Sequence, residues 1–220
     1  MNRKIMAPAL VVGDTASGPG HHLRRAKCNM ESRCQLATAV LEALHEGIVP
    51  WRFPINVMPE LAPTFGRFFT GEPLAEAEAD YSELDGIIKA TGVKVKHHWN
   101  CRKPRYHRLQ DRIVMPLQSY FQTVAHYRGT LIHELLHHVE HRVGWIGPDH
   151  QAEMVAEIGT GFIESYLQLP HDQDNSNCNK YLPMWAEGIE ADPAYLFDAV
   201  AQAERATNFL LDLRRRRRAA

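Results

Sequence analysis

The segment Leu131-Ile132-His133-Glu134-Leu135-Leu136-His137 sets the terms for this chain, because two histidines four residues apart flank a glutamate within an aliphatic surround. Four residues is close to one helical turn, about 6 Å of rise, so both imidazoles leave a helix on one face and can converge on one cation. The pattern His-Glu-x-x-His is that of zinc hydrolases. In these the glutamate beside the first histidine takes a proton from water that Zn²⁺ has brought to a pKa of about 7. A solvated helix would carry charge where Leu131, Ile132, Leu135 and Leu136 stand. The apolar flanks therefore predict a buried active-site helix, with His133 and His137 as metal ligands and Glu134 as general base.

A catalytic zinc site has three protein ligands and an open position. The extended pattern with Gly three residues and His six residues past the second histidine is excluded, since Glu140 and Val143 stand there. The inverted pattern His-x-x-Glu-His is met by His137-His138-Val139-Glu140-His141. Residues 133, 137 and 141 together span about 12 Å of helix, too far for ligand bonds of about 2.0–2.1 Å to one ion. One pair must be chosen, and the tighter apolar flanks favour 133/137, leaving His141 to solvent or to the loop after the helix. Glutamates four apart on the next helix, Glu153 and Glu157, share a face. Glu153 is expected as third ligand and Glu157 as the carboxylate that holds a ligand ring nitrogen.

Charge and cysteine usage narrow the remaining classes. The 220 residues carry 25 Lys+Arg against 26 Asp+Glu, but five of the arginines form the run Arg214–Arg218. The body is thus acidic, unlike a dedicated duplex-DNA binder. The run reads as a solvated tail, or more sharply as a phosphate clamp. Cysteines at 28, 34, 101 and 178 form no Cys-x-x-Cys pair, which fits reduced thiols in a cytoplasmic protein. No apolar run approaches the ~18–20 residues of a membrane span, and Pro8 interrupts the apolar patch of the N-terminus, so neither a membrane partner nor a signal peptide is expected. Nine of the 13 histidines lie between 97 and 150.

Residues 1–31 read as a poorly ordered leader, 32–77 as a short segment opening on a helix over 33–46, and 214–220 as a basic tail. Ser82 can cap a helix that ends near Gly92. Val93–Lys96 alternates with period two, and Arg112–Met115 is a second strand, so a small antiparallel sheet is expected. Helical segments follow over about 118–143, 150–168, 178–190 and 194–213. The expected class is α+β, a small sheet packed on a mostly helical domain over 78–213.

Five ordered motifs carry a family resemblance. Leu84–Gly92, Arg105–Pro116, His133–His138, Glu153–Ile163 and Tyr181–Pro193, followed by Ala201–Leu210, resemble the zincin-like metallopeptidase half of the ArdC-type antirestriction proteins, also found in polyvalent phage and plasmid proteins. The resemblance implies a zincin-like metallopeptidase fold and matches His133, Glu134, His137, Glu153 and Glu157 to the family's motif positions, with Tyr106 and Asp111 matching positions in the strand segment. It also implies an antirestriction role that protects incoming DNA. Gln35–Arg52 is similar to the opening of the family's single-strand-DNA-binding domain, although the Gly- and aromatic-rich middle of that domain is mostly missing between Phe53 and Glu78.

Two functions follow as expectations. The first is a Zn²⁺-dependent peptidase, with Tyr106, Tyr127, His150 or Tyr166 as candidate donors to the oxyanion. The second is a single-strand-DNA-binding antirestriction protein in which the metal is structural or regulatory. Trp51, Arg52, Phe68 and Phe69 would then stack, with Lys94, Lys96, Arg102, Lys103, Arg105 and Arg108 on phosphates. Single-stranded DNA and a protein substrate or restriction enzyme are the corresponding partners.

Overall fold

The computed structural model describes residues 30–52, 75, 79–145, 147–171 and 178–219. Most of the expected leader, Phe68 and Phe69, and nearly all of 53–78 lie outside the described residues. The elements in chain order are α1 (Met30–His45), a 3₁₀ turn (Pro50–Arg52), α2 (Ser82–Thr91), β1 (Lys94–His97), β2 (Arg105–His107), β3 (Arg112–Met115), α3 (Val124–Glu140), α4 (Asp149–Tyr166), α5 (Leu182–Ala191) and α6 (Ala194–Ala219). The architecture is α+β, with six helices and one small three-stranded sheet among the described residues.

The sheet differs from the expected antiparallel pair. Its order is β1-β3-β2, with β1 parallel to β3 and β2 antiparallel to β3. After β1 the chain skips one position, lays down β2 at the edge, and returns through a tight turn into the gap. That turn closes on Asp111, a non-glycine residue in the left-handed region at φ 43°. Ile113 and Met115 of β3 are fully enclosed and give the sheet its packed face. At the start of α2, Asp80 rather than Ser82 supplies the side-chain acceptor, taking the Ser82 N–H at 2.8 Å. Gly92 ends that helix in the left-handed conformation at φ 73°. α3 opens on Thr123, whose hydroxyl accepts from His126 N–H at 3.0 Å.

Two apolar clusters meet along α4 and α6. Leu84 and Ile87 of α2, Ile113 and Met115 of β3, and Leu131, Ile132, Leu135 and Leu136 of α3 pack on Ala156 and Ile163 of α4 and on Leu210 of α6. The opposite side of α4, through Met154, Ile158 and Phe162, packs with α5, with Leu196 and Ala203 of α6, and with Leu36, Val40 and Leu44 of α1. Trp51 belongs to this second cluster. It is fully buried, with its ring 5.7 Å from that of Trp185. Its backbone lies so close to α4 that a Cβ on Gly161 would collide with the Trp51 carbonyl oxygen. The stretch from Leu36 to Trp51 is therefore part of the same hydrophobic core as the helices that follow, and Trp51 has no face free to stack on a base.

α6 continues past the expected end through the five arginines. Arg214 sits against Gly86 of α2, with its Nε 3.3 Å from Glu83, and Arg215 donates to Tyr166 Oη at 3.3 Å. The start of the basic run thus ties α6 to α2 and α4. No helix among the described residues is long and apolar enough to cross a membrane, and Cys34, Cys101 and Cys178 are free thiols.

Candidate metal centre

The helical period and one close approach bring the candidate residues together. His133, Glu134 and His137 lie on α3, and Glu153 and Glu157 one turn apart on α4. α4 can approach because Gly159 lies under Leu136, where a Cβ would meet Leu136 Cδ1 at 2.9 Å. His133 Nε2 is 3.1 Å from His137 Nε2 and 3.3 Å from Glu153 Oε2, and His137 Nε2 is 3.9 Å from Glu153 Oε1. Donors bound at about 2.0–2.2 Å in a tetrahedron stand about 3.3–3.6 Å apart. These three side chains are the one group of convergent metal-binding donors found among the described residues, with ligand atoms all within 4.8 Å.

Each ring is held from behind. His133 Nδ1 lies 3.0 Å from Glu157 Oε1, a carboxylate only 3% exposed, and His137 Nδ1 lies 3.1 Å from Glu140 Oε1. Both Nε2 atoms are thereby turned toward one point. Glu140 was not anticipated as a partner, although its i,i+3 spacing from His137 would have allowed the reading. Burial disfavours a charged His133 ring, but hydrogen bonds to Glu153 and Glu157 outweigh it and raise its pKa to about 10. Burial lifts the Glu134 carboxyl above the usual range against the fields of His133 and His137 and a hydrogen bond from the Tyr106 backbone. Buried Glu134, Glu140 and Glu157, with half-buried Glu153, surround two imidazoles. So much negative charge out of water calls for a compensating cation, and two imidazole nitrogens with a carboxylate oxygen suit a divalent one.

The donors open into a cleft of about 670 Å³. Arg102–Arg105 and Tyr106 form one side, His133, Glu134, His137 and Glu153 the floor, and Lys180 and Tyr181 the other side. His141 is exposed at its edge, 6.3 Å from the Tyr106 ring. His138 points the other way, 1% exposed and 3.0 Å from Asp111 Oδ1. Asp111 also accepts from Tyr106 Oη at 2.7 Å and from Arg142 at 3.0 Å, which pins the β2–β3 turn to the end of α3.

Of the four oxyanion candidates, only Tyr106 lines the cleft. Tyr127 Oη is 2.9 Å from His97 Nε2 beneath the sheet. His150 stacks on Tyr195, and Tyr166 receives Arg215 at the far end of α4. Tyr181 lines the cleft and hydrogen-bonds Glu153, a position the sequence offered no periodic signal to find. Of the phosphate candidates, Lys94, Lys96, Arg102, Lys103, Arg105 and Arg108 are exposed or border the cleft.

The sequence model of a zincin-like metallopeptidase family matches residues 82–202. Two DNA primase TraC proteins of Escherichia coli are each 27% identical to the chain, over 152 and 134 residues, or 63% and 57% of it. The chain spans only 14% and 9% of their lengths. Among solved structures, the Mn(II)-bound antirestriction protein ArdC of plasmid R388 aligns over 83% of this chain and 97% of its own, with a TM-score of 0.63 at 19% identity. Its metal-free form aligns over 66% of this chain and 54% of its own, with a TM-score of 0.53 at 27% identity. By the extent of the family match, which takes in α2 through the start of α6 and every candidate metal-site residue, the chain belongs to the zincin-like metallopeptidase family.

Proposed function

We propose that the protein is a zinc-dependent peptidase of a mobile element that acts in antirestriction, with a polypeptide as its substrate. The observation that carries this reading is the placement of Glu134 in the same cleft as three convergent donors, His133, His137 and Glu153. His133 and His137 would hold the ion through Nε2, and Glu153 through its carboxylate. A divalent cation there supplies Lewis acidity, lowering the pKa of a water and polarising a substrate carbonyl. Glu134 accepts the proton from the attacking water and passes it to the leaving amine. The Tyr106 backbone N–H orients the Glu134 carboxylate for that exchange. Glu140 and Glu157 keep the two rings from rotating.

The likeness to ArdC, named as an antirestriction protein, and to proteins named as DNA primases supports a setting in which DNA is transferred. A role in which Trp51 stacks on single-stranded DNA loses support from the burial of that ring. The reading is tested by incubating zinc-loaded protein with a peptide library and following new termini by mass spectrometry. Cleavage is expected, abolished by a chelator and restored by stoichiometric metal. Cleavage that persists after chelation, or none from the loaded protein, would refute it.

A further inference from the structure

The sheet face turned away from α3 carries a second groove, of about 630 Å³, whose lining includes no carboxylate. Strand alternation builds it. Arg105 stands opposite Val114 and His107 opposite Arg112, so these four side chains share one face, while Tyr106 and Ile113 share the other. Residues 98–103 form the remaining wall. His98 N–H donates to Met115 O at 3.0 Å, and Cys101 Sγ donates to Lys103 O at 3.1 Å. The groove gathers Arg102, Lys103, Arg105 and Arg112 beside His98 and His107.

Among the described residues, none of these four cations has a carboxylate within ion-pair distance. Arg112 Nε is buried without an acceptor, a state that native structures rarely leave unexplained. Arg105 Nε donates to His107 Nε2 at 2.7 Å, which orients its guanidinium. Unpaired cations crowded along a groove focus a positive potential and recruit anions. Arg102, Lys103 and Arg105 also line the metal cleft, so one extended chain can lie across both cavities.

We propose that this groove is an exosite for an acidic polypeptide. Carboxylate side chains dock on Arg102, Lys103, Arg105 and Arg112 while the adjoining segment of the same chain enters the metal cleft. The guanidinium forks suit carboxylates bidentately, and alternate side chains of an extended peptide repeat about every 7 Å on one face. Continuity with a cleft read as acting on peptide bonds selects a polypeptide over other polyanions, and on that reading the proposal rests.

The test is fluorescence anisotropy in the Glu134→Gln background, with labelled Glu-Ser, Gln-Ser and Lys-Ser alternating peptides. The Glu-Ser peptide is expected to bind at least about tenfold tighter than the Gln-Ser peptide, through several charge-assisted contacts. The advantage should shrink as salt is raised. Arg102→Glu with Lys103→Glu should remove it; the unaltered groove's preference among the three peptides decides the matter alone should that variant fail to fold. Equal binding of acidic and neutral peptides would overturn the proposal. So would an oligothymidylate that binds more tightly than the acidic peptide and displaces it. An acidic preference that the double variant removes, together with no cleavage of peptide by zinc-loaded protein that keeps Glu134, would keep the exosite and refute the peptidase reading.

Discussion

Glu134→Gln is expected to lower peptide hydrolysis by about 10²–10⁴-fold, the range for loss of a general acid–base group, while metal content stays that of the unaltered protein. Glutamine keeps the size of the side chain and an oxygen to accept the Tyr106 backbone N–H, but it cannot carry a proton from water to the leaving amine. The convergent donors belong to His133, His137 and Glu153, so the substitution leaves the ligand set whole. Rates measured beside metal analysis separate the two roles. Full activity in Glu134→Gln would remove it from the chemistry, and loss of the ion would make it a ligand instead.

Trp51→Ala has the largest expected effect on stability. The ring is fully buried between α4 and Trp185, and core Trp→Ala changes cost about 3–5 kcal/mol. For a chain of this size that corresponds to a fall in Tm of about 6–20 °C. Trp51→Phe should cost less, because it keeps most of the ring and removes an indole N–H that has no acceptor. Thermal unfolding followed by circular dichroism measures both. A Trp51→Ala protein that melts with the unaltered one would show that residues 36–51 contribute nothing to the core.

Much of α3 could be read directly. The i,i+4 spacing of His133 and His137 and their aliphatic neighbours specified both the face that carries the candidate ligands and the side that packs, and the same spacing put Glu153 and Glu157 together. What the pattern could not contain was the distance between α3 and α4, which depends on Gly159 meeting Leu136. The partner of His137 escapes the sequence because Glu140 reads there as a departure from one longer motif and as the glutamate of an inverted one, although its i,i+3 position already places it beside that ring. β2 escaped because Arg-Tyr-His is too short and too polar to alternate visibly, and without it the two remaining strands look like an antiparallel pair. Trp51 was ambiguous for a different reason. A tryptophan at the start of a proline-rich passage serves a core or a stacking platform equally well in sequence, and only the fold decides between them. Tyr181 reaches the cleft from the start of α5, a placement set by tertiary packing.

The most direct test of the metal centre is elemental analysis of the purified full chain and of Glu153→Ala, side by side after gel filtration in metal-free buffer. A metal centre on His133, His137 and Glu153 predicts one divalent ion, zinc, per folded chain, lost from Glu153→Ala although that variant remains folded. A folded protein that takes up no stoichiometric metal, or a Glu153→Ala variant that holds it as firmly as the unaltered chain, would contradict it.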